Sequence, residues 1–399
     1  MTSAIALLFW IGLLIIFYTY LGYGLAIYIL SKLKKRSRPV SHVPDKDLPG
    51  VTILIAAYNE EQCIEDKITN TLNLDYPKDK LSIFFVTDGS TDNTPDIVKK
   101  FHAVKLFHDF QRRGKIHAVN RVMKYVATPI VVFSDANTLL NTAAIRNLVR
   151  HYQDERVGGV AGEKRIYKNS EDNASGSGEG FYWKYESLLK KKDAEVCSIV
   201  GAAGELFSIR TELYEAPAEN IIIEDFVVSM TICAKGFRFM YEPEAFALET
   251  ASASVGEEWK RKVRICAGGF QAMVRLKHLL NPFRYGIMSF QYFSHRVLRW
   301  TLAPLFLPIV FLSNLWLAAI GPGYYALLLA GQTGFYLLAF LGYQLRERKI
   351  SAKSFFAPYY FLLMNLAVYA GFMRFIRGTQ SAVWEKSQRA TIAPQSIKS

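Results

Sequence analysis

An apolar run that ends in an acidic and an amide side chain constrains the fold of this chain more than any other feature. Residues 129–137 read Pro-Ile-Val-Val-Phe-Ser-Asp-Ala-Asn. Such a run of β-formers, bounded by turn residues, predicts a strand buried in a parallel sheet, and ligands of these sheets bind beyond the carboxyl ends of the strands. Alternation along the chain puts Asp135 and Asn137 on the same side, where their oxygens suit one divalent cation, Mn²⁺ or Mg²⁺, that bridges to phosphates.

The first 30 residues predict a transmembrane helix. Residues 4–30 contain no charged side chain and exceed the roughly 20 residues that cross a hydrocarbon core. A cleaved signal peptide is not indicated, because the basic residues follow this segment instead of preceding it: Lys32, Lys34, Lys35, Arg36 and Arg38. The positive-inside rule puts the start of the chain outside and residue 31 onward in the cytoplasm.

Charge and cysteine content narrow the class of protein. The formal net charge of the 399 residues is +13, but part of this excess lies beside apolar segments, where Lys and Arg follow from topology and lipid headgroups. A nucleic-acid partner is therefore not indicated. The four cysteines are far apart and form no CxxC pair, which argues against a zinc site and fits free thiols in a reducing cytoplasm.

An alternation of strands and helices begins after a basic, proline-containing linker at residues 31–50. The predicted elements are strand 51–58, helix 60–73, strand 81–88, helix 95–101, strand 104–108, helix 115–126 and strand 130–134. Helical segments of this length between strands predict an α/β fold, a doubly wound and mostly parallel sheet, at residues 51–282. Within that domain, the polar and glycine-rich residues 169–180 are expected to form a surface loop or, alternatively, a mobile lid.

The chain from residue 283 onward is expected to lie in or at the membrane. Residues 283–300 are rich in aromatic side chains with interspersed Arg and His, which suits an interfacial helix. The remaining segments are a C-terminal transmembrane region at 301–376, with apolar stretches near 301–320, 323–343 and 355–373, and a basic tail at 377–399. Three full spans would put the tail outside, whereas the positive-inside rule puts it in the cytoplasm, so the number of spans stays open.

Two further motifs close predicted strands. Residues 55–61, Ile-Ala-Ala-Tyr-Asn-Glu-Glu, close the first strand, and Asp88 begins an Asp-Gly-Ser-Thr-Asp stretch at the end of the second. The Asp88 carboxylate can accept hydrogen bonds from a base or ribose, while Ser90 or Asp92 caps the next helix. The alternative is an ordinary turn and cap, because Asp, Gly and Ser are common in turns.

Cations and carboxylates also occur where a helix or a core alone does not explain them. Lys115 ends an Arg-Arg-Gly-Lys stretch before a predicted helix, where an anionic group such as a diphosphate would account for the charge; a solvated charge run is the alternative. Glu224 and Asp225 follow three isoleucines, and a buried carboxylate has a raised pKa that suits proton abstraction from a hydroxyl. We assign that role to Asp225, with a helix start as the alternative.

Arg261 and Arg264 are three residues apart and therefore share one face of a predicted helix. Two guanidinium groups on one face suit a leaving diphosphate, whose developing charge needs stabilisation. A basic helix at the membrane interface is the alternative.

Taken in order, these motifs resemble those of the membrane-bound inverting family 2 glycosyltransferases, the group that includes the synthases of cellulose, chitin, hyaluronan and poly-N-acetylglucosamine. The resemblance covers residues 51 to about 275 and implies a GT-A-like fold, a nucleoside-diphosphate-sugar donor and a divalent metal. It implies that the donor contacts are Ala57, Tyr58, Glu60, Asp88, Lys115, Asp135, Arg261 and Arg264. It further implies metal ligation by Asp135 and Asn137, an acceptor-side role for Gly204 and Glu205, and a catalytic base at Asp225 beside Glu224. Residues 378–380 and 384–386 also resemble the tails of these enzymes.

Three residues depart from the family pattern. Asn137 replaces the second acid of the DxD motif and removes one anionic metal ligand. Ile223 replaces the threonine of the TED motif, which is a minor change. Ile265 stands where the processive enzymes have tryptophan, an aromatic platform for the acceptor sugar, so processive transfer is not predicted.

The residues and the resemblance together predict an inverting glycosyltransferase for polysaccharide or cell-envelope glycan synthesis. It would move a sugar from a nucleoside-diphosphate sugar, first of all a UDP-sugar, to a glycan or glycolipid acceptor at the cytoplasmic face of the cell membrane. Two alternatives are kept: transfer to a polyprenyl phosphate, whose anionic acceptor needs no base, and a non-catalytic membrane scaffold subunit. The sequence does not identify the donor sugar, the acceptor, the linkage or the oligomeric state.

Overall fold

The computed structural model describes residues 2–34, 43–167, 174–250, 254–345, 353–381 and 383. Three features of the sequence therefore lie outside the described residues: the basic residues 35–38, the basic residues 346–349 and residues 384–386 of the tail. The described residues group into two units. The first takes its residues from Met1–Leu33, Asn169–Tyr185 and Ser252–Gln380, and the second from Lys34–Lys168, Glu186–Ala251 and Ser381–Ser399.

The helices and strands are labelled in chain order. The helices are α1 (Thr2–Phe17), α2 (Tyr23–Leu33), α3 (Ile64–Leu72), α4 (Thr94–Lys99), α5 (Lys115–Met123), α6 (Ala144–Val149), α7 (Ala174–Val196), α8 (Glu224–Ala234), α9 (Val255–Arg275), α10 (Pro282–Tyr285), α11 (Ile287–Tyr292), α12 (Leu298–Trp300), α13 (Leu302–Ile320), α14 (Tyr324–Gln344) and α15 (Lys353–Arg377). The strands are β1 (Val51–Ala57), β2 (Leu81–Asp88), β3 (Lys105–Asp109), β4 (Ile130–Asp135), β5 (Leu139–Leu140), β6 (Val157–Tyr167), β7 (Leu206–Arg210) and β8 (Arg238–Thr250).

The first unit contains four helices that are long and apolar enough to cross a membrane. They are Thr2–Leu33, Leu302–Ile320, Tyr324–Gln344 and Phe355–Arg377. The first of them joins α1 and α2 through a π-helical turn at Tyr18–Gly22. These helices coincide with the apolar segments predicted from the sequence, because an uncharged run of this length satisfies its backbone hydrogen bonds within the helix.

Small residues and polar pairs pack these helices together. A Cβ at Gly12 would lie 2.6 Å from the Phe306 ring, so glycine allows α1 to approach α13 closely. The Tyr20 hydroxyl donates to Asn365 Oδ1 at 2.6 Å, and the side-chain amides of Asn314 and Gln332 lie 2.8 Å apart. These polar side chains therefore make interhelical contacts, which is common in membrane helix bundles.

The second unit is built on an eight-stranded sheet with the order β3-β2-β1-β4-β7-β6-β8-β5. Strands β3, β2, β1 and β4 are parallel, whereas β7 runs antiparallel to both β4 and β6. β6 pairs parallel with β8, and β8 pairs antiparallel with β5. The doubly wound parallel half agrees with the sequence prediction, and the whole sheet is mixed. Strands β2, β1 and β4 lie inside the sheet, with β3 at its edge; Ile53, Phe85 and Val132 of these inner strands are each 0% exposed.

The glycine-rich segment at 169–180 differs from its prediction as a loop. Helix α7 begins at Ala174, so residues 174–180 are helical, and residues 169–173 lie outside the described part. Glycine within a helix costs about 1 kcal/mol per residue relative to alanine. The remainder of α7 contains the helix formers Leu, Lys and Glu, and propagation of a helix that has formed offsets that cost.

Candidate active site

Three strand ends meet at one edge of the sheet because β1, β2 and β4 are in register. Ala57 at the end of β1 pairs with Thr87 of β2, and Ala56 pairs with Asp135 of β4. Tyr58, Asp88 and Asp135 were predicted from three separate motifs, and the structure places them together at this edge. Their roles remain predictions.

The Asp88 carboxylate fixes the segment that precedes α5. It accepts the backbone N–H of Arg113 at 3.0 and 3.1 Å and that of Gly114 at 2.6 Å, so its negative charge lies at the N-terminus of α5, where the helix dipole favours it. Gly89 is required here, since its φ is +65° and a Cβ would lie 2.5 Å from the Cβ of Arg112. Asp88 is thus both a strand-end acid and a cap of the next element.

A cleft lies at these strand ends. Its lining residues are Ala56, Ala57, Tyr58, Val86, Asp88, Arg112, Gly114, Lys115, Ala118 and Val383. Four of the eight predicted donor contacts are among them; the other four, Glu60, Asp135, Arg261 and Arg264, are not. The guanidinium carbon of Arg112 lies 3.8 Å from the centroid of the Tyr58 ring, a cation–π contact. The cleft therefore combines an aromatic face, a carboxylate and cations.

The loop that carries Tyr58 is held against the loop after β2. Asn59 has a φ of +54°, and its side chain accepts the backbone N–H of Thr91 at 2.8 Å. The Glu60 N–H donates to Thr94 Oγ1 at 2.8 Å, and the Glu60 carboxylate lies 3.2 Å from Cys63 Sγ. This position explains why Glu60 is near the cleft without lining it.

Lys115 joins two carboxylates that come from different parts of the chain. Its Nζ lies 2.7 Å from Asp135 Oδ1 and 2.9 Å from Glu224 Oε1. Burial opposes the charge of Lys115, but Asp135 and Glu224 hold its pKa above the ordinary value. The predicted cation therefore pairs with two predicted acids, and it stays charged at neutral pH.

Asp225 follows Glu224 in the first turn of α8, so the alternative, a helix start, is present. Both residues are partly buried. Burial, followed by the charge of Glu224, raises the pKa of Asp225 to about 7, against the opposing effect of Lys115. A carboxylate with that pKa exchanges protons near neutral pH, as a general base does.

Gly204 lies among the charged groups of the site. A Cβ at this position would lie 3.4 Å from Asp225 Oδ2, 3.4 Å from Lys115 Nζ and 3.9 Å from Asp135 Oδ2. The absence of a side chain at residue 204 therefore leaves the space between Asp225 and Asp135 open.

Glu205, predicted on the acceptor side, takes part in a buried ion-pair cluster. Its carboxylate lies 2.8 Å from Lys164 Nζ, and Lys164 also pairs with Glu249. The side chains of Lys164 and Glu249 are 1% and 2% exposed, and that of Glu205 is 12% exposed. The structure thus gives Glu205 a positioning contact and leaves its predicted contact with an acceptor untested.

Asn137 lies in a turn that follows β4, and not in an extension of the strand. β4 ends at Asp135, so residues 136 and 137 form a turn and the alternation argument does not apply to Asn137. Within the described ranges, no group of three or more His, Cys, Asp or Glu side chains could hold a metal ion. A metal at this edge would therefore need oxygen ligands from a bound substrate.

Arg261 and Arg264 lie on α9 in the first unit, one helical turn apart. Arg261 makes two hydrogen bonds to the Glu258 carboxylate, at 3.0 and 3.1 Å. The hydroxyl of Tyr360 on α15 donates to the same carboxylate at 3.1 Å. Their predicted contact with a leaving diphosphate is untested, but the guanidinium group of Arg261 is fixed by a buried acid.

Sequence reasoning missed three buried charged residues, Lys67, Lys164 and Glu258. Each is at most 5% exposed. A signal was present for Lys67, which lies on the apolar stripe of its helix beside Ile64, Ile68 and Thr71, all buried. A charged residue on a buried stripe needs a partner, and the partner is supplied by a different part of the chain.

The fold and site define an α/β domain with a cleft at the carboxyl ends of parallel strands. Residues 52–215 match the family model described as glycosyl transferase family 2, and this part of the chain is a domain of that family. The match covers the sheet through β7 together with Tyr58, Asp88, Lys115, Asp135 and Gly204.

Two curated relatives and one solved structure are similar to the chain. It is 30% identical over 239 residues to the poly-beta-1,6-N-acetyl-D-glucosamine synthase of Staphylococcus aureus (strain COL), covering 57% of each chain. It is 27% identical over 247 residues to that of Staphylococcus epidermidis, covering 58% of this chain and 57% of the relative. The match thus spans little more than half the length of these curated relatives.

The solved structure is a mannosyltransferase from Pyrobaculum calidifontis in complex with GDP-mannose and Mn²⁺. It superposes with a TM-score of 0.68 at 24% identity, and the alignment covers 92% of this chain and 99% of that one. At this identity the similarity shows a common fold, the GT-A-like fold that the sequence predicted.

Proposed function

We propose that this protein is an inverting glycosyltransferase that moves a sugar from a nucleoside-diphosphate sugar to a hydroxyl of a glycan or glycolipid. The arrangement around Gly204 carries this proposal. Asp225 Oδ2 and Lys115 Nζ are each 3.4 Å, and Asp135 Oδ2 is 3.9 Å, from the Cβ position of residue 204. A base, a cation and a strand-end carboxylate thus face a common space that has no side chain of its own.

Asp225 is the general base of this reaction. Its raised pKa, about 7, matches the proton transfer that an acceptor hydroxyl requires at neutral pH. As Asp225 takes the proton, the acceptor oxygen forms a bond to the anomeric carbon on the face opposite the diphosphate. The bond between the anomeric carbon and the phosphate oxygen breaks, and its electron pair leaves with the nucleoside diphosphate, so the configuration inverts.

Cations stabilise the negative charge that develops on the leaving diphosphate. Lys115, which lies in the cleft lining, is the candidate in the second unit. Arg261 and Arg264 are proposed for the same role because their motif resembles that of the family. Tyr58, Ala57 and Asp88 are proposed contacts of the nucleoside.

The residues present fit a divalent cation. Mg²⁺ is usually held by one or two carboxylates together with substrate phosphates, and Asp135 with Asn137 offers one carboxylate and one amide oxygen at the strand end. A bound Mn²⁺ or Mg²⁺ would supply Lewis-acid stabilisation of the leaving diphosphate. Asn137 lowers the negative charge of the site relative to two acids, so we expect weaker metal affinity than a DxD pair gives.

The activities of the relatives guide the choice of donor. Two are synthases of a polymer of N-acetylglucosamine, which favours a UDP-linked N-acetylhexosamine or hexose as the first donor to test. We propose that the product is a polysaccharide or a cell-envelope glycan. Ile265, in place of the family's tryptophan, leaves processive transfer unpredicted.

We place the catalytic unit on the cytoplasmic face of the membrane, because basic residues follow the first apolar helix. Cys63 and Cys197 provide a natural test, since both are partly exposed whereas Cys233 and Cys266 are buried. A membrane-impermeant maleimide should label the protein in intact cells only after the membrane is opened. Labelling of intact cells, absent in the Cys63→Ser/Cys197→Ser variant, would contradict this orientation.

The function is tested by measuring nucleoside diphosphate release from the detergent-purified protein, with Mn²⁺ or Mg²⁺, across UDP- and GDP-sugars and with added membrane lipids. We expect release with one donor and a glycosylated product that mass spectrometry identifies. Transfer to a polyprenyl phosphate would appear as a glycosylated lipid in the same assay. Folded protein that releases nothing with any donor would favour a scaffold subunit.

A further inference from the structure

Lys67 on α3 is buried directly behind the strand-end acid of β4. The residue is 0% exposed. Its Nζ donates to Ser134 Oγ at 2.8 Å, to the Thr138 carbonyl at 2.8 Å and to Thr138 Oγ1 at 3.4 Å. All three N–H bonds of the ammonium group are therefore directed at residues 134 and 138.

These two acceptors flank the segment that carries the proposed metal ligands. Ser134 precedes Asp135, and Thr138 follows Asn137, so one ammonium group joins both ends of the turn. Thr138 Oγ1 also donates to the Asp135 carbonyl at 3.0 Å, which closes the turn on itself. The position of the Asp135 and Asn137 side chains is thus tied to a side chain of a different helix.

The same contact reaches the proposed acceptor loop. The Ser134 hydroxyl accepts from Lys67 and donates to the carbonyl of Glu205 at 3.1 Å. Glu205 directly follows Gly204, the residue at the centre of the site. Lys67, Ser134 and Glu205 therefore form a continuous path from α3 through the end of β4 to the loop before β7.

Burial of a cation destabilises the fold unless other interactions offset its desolvation cost. Burial lowers the pKa of Lys67 to about 7, while the Asp135 carboxylate opposes this effect. Three neutral oxygens satisfy its donors, but an uncharged side chain of similar length would avoid the desolvation cost. A cation at this position favours the negative charge of the nearby Asp135 carboxylate.

We propose that Lys67 is a positioning residue that holds the Asp135–Asn137 turn in its metal-binding arrangement and, through Ser134, sets the Gly204–Glu205 loop relative to that turn. This inference rests on the proposed function of the site. Lys67 itself does not contact the substrate or the metal in this proposal. Its effect is expected in metal affinity and donor KM more than in fold stability.

The test compares Lys67→Met with a matched variant on the same helix, Asn70→Leu. Asn70 ties α3 to β5 by two hydrogen bonds of 2.8 Å to Leu140, without contact to residues 134–138. Both variants loosen α3, but only Lys67→Met releases the turn. The readouts are Mn²⁺ binding by electron paramagnetic resonance with UDP and with GDP present, donor KM, kcat and thermal unfolding.

We expect Lys67→Met to weaken Mn²⁺ binding by about 10- to 100-fold, the usual effect of losing a group that orients a metal ligand, and to raise the donor KM. Asn70→Leu should bind Mn²⁺ like the wild type even if its unfolding temperature falls equally. If Lys67→Met does not fold, Ser134→Ala tests the same path, and we expect it to weaken Mn²⁺ binding in the same direction.

Equal Mn²⁺ affinity in Lys67→Met and the wild type, or equal losses in Lys67→Met and Asn70→Leu, would overturn the proposal. Wild-type protein that binds no Mn²⁺ with either nucleotide would overturn it as well, because there would be no metal-binding turn to position. The binding readout does not depend on turnover. Wild-type protein that binds Mn²⁺ with a nucleotide but transfers no sugar would therefore count against the proposed function alone.

Discussion

Asp225 is the residue whose chemistry depends most on its surroundings. Burial and the adjacent Glu224 raise its pKa to about 7, while the Lys115 ammonium bridges Glu224 and Asp135 nearby. The folded protein therefore holds a proton on Asp225 at a pH where the unfolded chain has released it. The same environment that makes Asp225 a base at neutral pH also costs stability when it ionises.

Asp225→Asn should stabilise the protein at pH 8 and have little effect on stability near pH 4. Because the folded pKa exceeds the ordinary value of 3.8, the contribution of Asp225 to stability falls as the pH rises from about 4 to about 7, and asparagine lacks this loss. We expect a gain on the order of a few kcal/mol at pH 8. Thermal unfolding at pH 4 and pH 8 measures this gain in stability. An equal change in stability at both pH values would contradict a raised pKa of Asp225.

Gly204→Ala should fold normally and lose activity. The added Cβ would meet Asp225 Oδ2 and Lys115 Nζ at 3.4 Å, which is ordinary van der Waals contact, so no atom of the protein must move. It would, however, occupy the space in which the reacting groups meet, and a misplacement of about 1 Å can cost on the order of 100-fold in rate. The control is Gly331→Ala, where a Cβ meets nothing within 4 Å, and turnover and unfolding temperature are measured for both variants. Unchanged turnover in Gly204→Ala would show that the reacting groups do not meet in the space beside Gly204.

Residues whose role follows from their position at a strand end were accessible from the sequence. Asp88 and Asp135 each end a run of β-formers, and the register of parallel strands brings such ends together. Lys164 was not accessible, because its partners Glu205 and Glu249 are far away in the chain. Lys67 carried a signal on the apolar stripe of α3, but the sequence does not identify its distant partners. The alternation that was used to put Asn137 on the same side as Asp135 does not extend to it, because β4 ends at Asp135.

At the level of elements, the pair α9 and α15 shows how an apolar helix fixes the side chain of Arg261, a residue of the proposed site. A Cβ at Gly371 would lie 2.6 Å from the Cβ of Cys266, so glycine allows the two helices to approach closely. Glu258 on α9 is 2% exposed, and it binds both Arg261 and the Tyr360 hydroxyl. The direction of the Arg261 guanidinium group therefore depends on α15.

Tyr360→Phe should lower the unfolding temperature more than Tyr369→Phe on the same helix. The Tyr360 hydroxyl donates to the Glu258 carboxylate at 3.1 Å, whereas that of Tyr369 donates to the neutral carbonyl of Pro304 at 2.6 Å. A hydrogen bond to a charged group contributes about 1.5–3 kcal/mol, compared with about 1 kcal/mol for a neutral one. Thermal unfolding of the two variants in the same detergent tests this order, and the reverse order would show that Glu258 is not held through Tyr360.

Strands β1, β2 and β4 were predictable because each contains a continuous apolar run between turn residues. The strands after residue 135 were not predicted. β6 contains Gly158, Gly159 and Gly162, which weaken strand propensity, and these glycines are required because a Cβ at Gly159 would lie 2.2 Å from the Phe239 ring. In such strands, packing against a neighbouring strand decides the structure more than local propensity does.

At the scale of the whole molecule, a family 2 glycosyl transferase domain and four apolar helices occur in one chain. These apolar helices were predictable because a long segment with few charged residues is enough to identify them. The side of the membrane on which the tail lies was not predictable, since three C-terminal spans and the positive-inside rule disagree.

The central claim is that Asp225 is the base of a sugar transfer from a nucleoside-diphosphate donor. The most direct test measures nucleoside diphosphate release, with the active donor and acceptor, by the wild type, Asp225→Asn and the control Glu215→Gln, an exposed acid paired with Lys235. We predict that Asp225→Asn loses about 100- to 10,000-fold in turnover, the usual contribution of a general base, while Glu215→Gln matches the wild type. Full turnover by Asp225→Asn would contradict the role of Asp225 as the base and would point to an acceptor that is already anionic.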